Sequence, residues 1–418
     1  LGAFDASVTA GVLELRSNNP SWTGDTTVSS GATVRVSNVN TGLGTGMINL
    51  EGGSTFTFGV GGSGVTLANN VSVTGDITLA NTRNSGTASF SIGTPSVSTV
   101  NLNGATRTIT ANATNTGDII NILSTISNGG VTLTGNATVR YGGSTGANTY
   151  TGTTTLESNF TGQLQLSKAA GNSVAGDLVV HAGTLMLRFD NNIADTSTVT
   201  MTGGTFRLQD EGSNSRTDVV SALVFNGGTF TGGGGLALGG TAGNGELRVN
   251  AGGVLSGGGS GLNLASTILN DGGQITPGSL GDSNLGTLGI SSASGLTWNG
   301  EASAIAQMSF NLGAGNTSDT LAITNTLTKG TRSFFVFDFN GFNANAAATY
   351  DLLTFGSQSG FVASDFSATN ITFDPGYFGG FILTDDSLQY VVAIPEPGSL
   401  ALAVLGGWLL LPRRTRKA

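Results

Sequence analysis

Cysteine is absent from this chain, which removes disulfides, thiolate nucleophiles and Cys-based metal sites and leaves the redox compartment unread, though compatible with export. Histidine occurs once, at His181, so a catalytic or metal role for it would need partners that other residue types supply. Charged residues make up only 10% of the sequence, and the formal net charge is -9. Four of the 16 basic residues, Arg413, Arg414, Arg416 and Lys417, lie at the very end, so residues 1–411 hold 12 basic groups against 25 acidic ones. Such a surface argues against nucleic acid as a partner, because that binding needs clustered Lys and Arg to displace counterions. The opening "LGAFDASVTA" has neither Met nor a basic-then-apolar signal, which suggests a truncated or processed start with any export signal preceding Leu1.

Glycine fills the space the missing residues leave: 68 of 418, far above the usual share of about 7%. Thr, Ser and Asn accompany it, and helix formers are scarce. The apolar 38% recurs in short alternating runs, a pattern of folded β-structure rather than disorder. Two related segments, "SWTGDTTVSSGATVRVSN" from Ser21 and "TYTGTTTLESNFTGQLQLSK" from Thr149, share [ST]-[WY]-T-G-x-T-T-[VL]. A second pattern, two apolar alternations around a glycine pair, recurs as "INLEGGSTFTF", "LVVHAGTLML", "VTMTGGTFRL", "LVFNGGTFTG", "LRVNAGGVLSG" and "ILNDGGQITPG". In the last five units the second glycine falls at Gly183, Gly204, Gly228, Gly253 and Gly273, at intervals of 21, 24, 25 and 20. Such a period fits stacked repeats.

Each unit predicts two short strands with alternate side chains buried, joined at a corner where glycine takes positive φ without a Cβ clash. The expected fold is all-β: a right-handed parallel β-helix over residues 1–290, in about 12 to 14 coils on the order of 60 Å long. Antiparallel meanders also alternate, but the spacing favours the solenoid. After Ile290 the texture changes. Residues 331–390 hold 11 of the 21 Phe, and Phe335, Phe337 and Phe339 alternate onto one strand face. This predicts a wider β-rich closing region over residues 291–392 that covers the open strand edges of the last coil.

Residues 393–418 stand apart: Pro395-Glu396-Pro397, the uncharged run Leu400 to Leu411, then Arg413-Arg414 and the basic end. Prolines remove backbone donors and disfavour helix in the preceding residue, so an extended segment is expected before the apolar run. Twelve uncharged residues followed by basic ones form a stop-transfer pattern with the basic flank cytoplasmic. As a helix the run spans about 18 Å against a hydrocarbon core of roughly 30 Å, and Gly406-Gly407 weakens it, which suits a transient anchor.

The units "NTYTGTTTLESNFTGQLQL" and "ITPGSLGDSNLGTLGI" resemble the autotransporter-associated β-strand repeat family, which implies a right-handed β-helix. The tail resembles the PEP-CTERM sorting signal, carried by Pro395, Glu396, Pro397, Arg413 and Arg414 around a short hydrophobic transmembrane helix. That resemblance implies a Gram-negative bacterium, export, transient inner-membrane insertion, processing by an exosortase-type membrane protease, and delivery to the cell surface or extracellular polysaccharide matrix.

The rival class is a β-helix polysaccharide lyase or glycoside hydrolase, which would work through converging carboxylates. Asp385-Asp386 reads as a turn, His181 as a variable polar turn position beside Glu51, Thr202, Asn226, Asn250 and Asp271, and the glycine clusters as corners. Asp190 and Asp195 could meet across coils. Carboxylates gathered in a concave groove would favour the enzyme; a groove without titratable groups would favour a structural or adhesive surface protein. The sequence favours the second, with no catalytic, cofactor or metal residue assigned, and extracellular polysaccharide as the implied partner.

Overall fold

The apolar alternations fold as short strands on either side of a corner. In the computed structural model, described over residues 3–394 apart from 38–39, 60–64, 83–88, 94–97, 116, 144–145, 209–215, 232–235, 239–245, 258, 265 and 279–284, the chain is all-β. The glycine units appear as the strand pairs Leu178–Val180 and Thr184–Leu187, Thr198–Met201 and Thr205–Arg207, Ala222–Phe225 and Gly228–Thr231, Glu246–Val249 and Gly253–Gly257, and Ser266–Leu269 and Gln274–Pro277. Positive φ falls at Gly183, Gly204 and Gly228 as expected, but at Gly252 and Gly272 in the last two units. There the first glycine of the pair turns the chain and the second already begins the approach to the next strand. The sorting residues Pro395, Glu396, Pro397, Arg413 and Arg414, and the expected hydrophobic helix, lie outside the described residues.

Successive units stack in parallel, so that like side chains fall in line. In the first sheet, Leu156, Val180, Met201, Phe225, Val249, Leu269 and Trp298 are paired in register, one in each pass of the chain. In the second sheet, Ile120, Val139, Leu164, Leu185, Phe206, Phe230, Leu255, Ile275, Met308 and Phe337 form another such column. All of these side chains are buried, each worth about 1.5–3 kcal/mol relative to exposure for Val, Leu, Ile, Phe or Met. Long parallel sheets of this kind are consistent with a parallel β-helix. The strand ladder through the first sheet runs Ala6–Val8, Thr26–Val28, Ile48–Leu50, Val71–Val73 and on to Ser357–Ser359.

Pass length is not constant. Side chains that meet across adjacent passes lie 21 residues apart from His181 to Thr202, 24 from Asn226 to Asn250 and 20 from Asn250 to Asn270. The step then lengthens to 29 residues from Asn270 to Asn299 and to 31 from Thr326 to Ser357. A third sheet starts at Asp218–Val220 and continues through Thr287–Ser292, Thr320–Ile323 and Ala348–Thr354. The last long passes carry longer strands in the second and third sheets, Phe335–Ala344 and Ala348–Thr354. Parallel pairing crosses residue 290 without a break. Among the described strands only the end of the third sheet reverses: Ser387–Ala393 pairs antiparallel with both Ala348–Thr354 and Phe378–Leu383.

The shared [ST]-[WY]-T-G segment also has a physical reading. Trp22 is buried and its indole donates to Phe4 O at 2.9 Å; Tyr150 is buried and its hydroxyl bonds Thr154 Oγ1 at 2.6 Å. The glycine that follows admits close backbone approach from the preceding pass: a Cβ on Gly24 would stand 1.9 Å from Phe4 O, and one on Gly152 would stand 2.5 Å from Gly129 O. The aromatic fills the corner and the glycine lets the next pass settle on it.

Candidate functional site

Most of the polar residues between the apolar columns serve stacking. His181, Thr202, Asn226, Asn250, Asn270 and Asn299 follow the end of the first strand in successive passes, and each backbone N–H donates to a carbonyl of the pass before at 2.7–2.9 Å. His181 Nδ1 lies 2.5 Å from Thr202 Oγ1, so the lone histidine sits in this column. Asn250, Asn270 and Asn299 each donate a side-chain amide to the asparagine below, at 2.7, 2.5 and 2.6 Å. Asn270, not its neighbour Asp271, carries the column. Asp190 Oδ1 accepts from Thr217 N at 2.8 Å, burial raises the pKa of Asp218 with Asp195 adding only the smallest push, and Asp385-Asp386 lie in the turn before Ser387.

One place departs from regular stacking. The strand Thr99–Ala113 pairs with Thr125–Gly135, but the register jumps between Asn101↔Ser127 and Ala105↔Gly129. The extra residues bulge outward with Asn103 at φ 54° and Asn128 at φ 56°. Asparagine tolerates this left-handed region because its short amide bonds nearby backbone. Asn101 Oδ1 accepts from Asn103 N at 3.0 Å and from Asn128 Nδ2 at 3.1 Å, while Asn103 Nδ2 donates to Ser72 Oγ at 2.9 Å and Val73 O at 3.1 Å. The bulges wall a cavity of about 610 Å³ lined by Asn101, Asn103, Gly104, Thr106, Asn128, Gly129, Thr151 and Gly152. Every lining side chain is neutral. A smaller hollow of about 320 Å³ lies on the third sheet around Ile290, Ile323 and Thr354.

Carboxyl groups do meet elsewhere. Glu301 is buried, accepts from Gly272 N at 2.7 Å, and is pushed up to about 7 by burial and by its hydrogen bond to Asp271. Asp271 is held below its ordinary range by that same bond, and Arg332 pairs with it at 2.9 Å. Neither residue lines the two cavities above. Two further ionisable groups are interior: Lys168, lowered to about 8 by burial and donating to Ser124 O and Gly142 O at 3.3 and 3.2 Å, and Asp218, raised to about 7 by burial although three backbone N–H groups cap it. They satisfy corner backbone groups within the stack.

Among the described residues no group of three or more His, Asp or Glu is placed to hold a metal ion, and no helix is long and apolar enough to cross a membrane. Sequence reasoning missed the bulged groove, although the Asn-Gly dipeptides at Asn103 and Asn128 were a usable signal for left-handed turns. No protein-family profile matches the chain, and no curated protein gives a match to it.

Proposed function

We propose that the protein is an exported, non-enzymatic structural or adhesive component of the surface or extracellular polysaccharide matrix of a Gram-negative bacterium. In this reading the passes close into the coils of a right-handed β-helix. An exosortase-type membrane protease processes the tail after transient inner-membrane insertion, at a signal formed by Pro395, Glu396 and Pro397, the apolar run, and Arg413 and Arg414. The observation that supports it best is the junction: the parallel ladder of the third sheet gives way to the reversed strand Ser387–Ala393, and the chain leaves it at exposed Ile394, one residue before Pro395. A folded unit finished just ahead of Pro395-Glu396-Pro397 would leave that segment accessible to a protease at the membrane.

Mass spectrometry of the protein from its native host tests this. The mature form is expected to lack Arg413 to Ala418, and a mature form that retains them overturns the sorting claim.

The Asp271–Glu301 pair with Arg332 favours a second reading, a polysaccharide hydrolase or lyase. It requires release of reducing ends or unsaturated sugars from a polysaccharide, lost in Glu301→Gln. The structural reading expects no such release.

A further inference from the structure

The groove formed by the asparagine bulges has features that stacking alone does not require. Asn101 Nδ2, Asn103 Oδ1, Asn128 Oδ1 and Thr151 Oγ1 have no hydrogen-bond partner among the described residues, while the other amide atoms of Asn101, Asn103 and Asn128 are engaged in bonds that fix their direction. The free donors and acceptors are therefore aimed outward and preorganised, so a ligand loses little to ordering them. Glycines 104 and 129 leave the floor bare, and open space surrounds the position of a Cβ on Gly104. The lining residues come from three successive passes, residues 101–106, 128–129 and 151–152, so the groove runs across the strands over about 10 Å.

The charge class of the ligand follows from what surrounds it. No lining side chain ionises. Two charged groups bonded beside the lining strand are committed: Arg107 Nε donates to Leu102 O at 3.0 Å, and Asp76 Oδ1 accepts Thr108 N at 2.7 Å. The chain as a whole carries -9, which repels polyanions. Mixed neutral donors and acceptors on a bare backbone floor match hydroxyl groups, each of which gives and takes a hydrogen bond.

We propose that the groove bounded by Asn101, Asn103 and Asn128 binds a short segment of an uncharged polysaccharide, laid along the stacking direction. The proposal rests on the reading of this chain as a matrix-associated protein, but it is tested separately from sorting, which the mass of the mature tail reports. The full chain is run in affinity electrophoresis against three neutral glycans, dextran, a soluble β-1,4-glucan and a galactomannan, and against anionic polygalacturonate. At least one neutral glycan is expected to retard the protein and polygalacturonate is not. Asn128→Gly, which keeps the left-handed backbone and removes the amide, should weaken that retardation at least 5-fold, and Thr106→Trp, which fills the exposed floor, at least 10-fold. Asn340→Gly is the control: Asn340 takes the same left-handed turn at φ 52° in a later bulge and should leave binding unchanged. Thermal midpoints of all three variants establish that they are folded. Retardation by none of the neutral glycans, equal retardation of the groove variants and the wild type, or polygalacturonate binding lost in the groove variants would each overturn the proposal.

Discussion

Two stretches of one stack solve the same packing problem at different widths. From His181 to Asn270 a pass takes 20–24 residues, and aliphatic side chains such as Leu185, Leu187, Val199 and Leu223 fill much of the core. From Asn270 onward a pass takes 29–33 residues, its strands lengthen toward the end of the stack, and aromatic side chains fill the centre. Trp298 packs edge-on to Phe335 and Phe337 at 5.1 and 5.5 Å and tilted against Phe361 and Phe366 at 6.2 and 6.0 Å. Pass length and side-chain volume rise together because interiors pack to near-crystal density, and longer passes lined by Val and Leu alone would leave voids. The phenylalanines concentrated between residues 331 and 390 are what a wider section demands.

The largest test of that comparison is to empty the wide section. Trp298→Ala should destabilise by about 3–5 kcal/mol and leave a cavity the rigid strands cannot close, read as a lowered midpoint in denaturant. Leu185→Ala in the narrow section is the matched reference, expected toward the lower part of the roughly 2–5 kcal/mol range. A loss for Leu185→Ala equal to that for Trp298→Ala would break the link between width and aromatic filling.

A second test concerns how closely passes approach. Gly152→Ala puts a methyl 2.5 Å from a backbone oxygen and should cost about 1–3 kcal/mol by overpacking, whereas Gly380→Ala in the antiparallel end meets nothing within 4 Å and should change the melting point little. Equal effects would mean that close backbone stacking is not what separates the two regions.

The smallest effect is in pH. Glu301 has a folded pKa raised to about 7 from 4.5, so its contribution is full below pH 4.5 and is lost as pH rises through about 7. The partly exposed Asp271–Arg332 side screens the pair, so the loss between pH 5 and 8 is at most about 2 kcal/mol. Asp218, raised to about 7, adds a loss of the same sign. Glu301→Gln should flatten the stability curve over that window, measured by thermal melting at several pH values, and Asp218→Asn should flatten the remainder. An unchanged slope in Glu301→Gln would mean that the pair does not share a proton.

Much of this fold is legible in the sequence because the repeating unit is short and local. Two alternations and a glycine corner are enough to call for two strands, and the strands at Leu178–Val180 and Thr184–Leu187 lie where "LVVHAGTLML" puts them. The alternation of Phe335, Phe337 and Phe339 likewise reads directly as a buried face. The third sheet was not legible, because its strand Leu236–Leu238 is three residues long within a glycine run and carries no alternation of its own. Nor was the meeting of Asp271 with Glu301: it depends on the lengthened pass that separates them, and no single unit contains that length. The groove stayed hidden for a related reason. An Asn-Gly dipeptide announces a turn, but two such turns become walls only when the register sets one pass above the other.

The reversal at the end of the third sheet also has a mechanical side. A pull on the chain at Ile394 is felt first by Ser387–Ala393, which is held on both flanks, by Ala348–Thr354 and Phe378–Leu383. Once that strand slips, each pass behind it can release on the order of 100 Å of extended chain, while the stack shortens by about 5 Å. The reversed strand is therefore the latch on a reel, and it sets how much tension the rest can take before it lengthens.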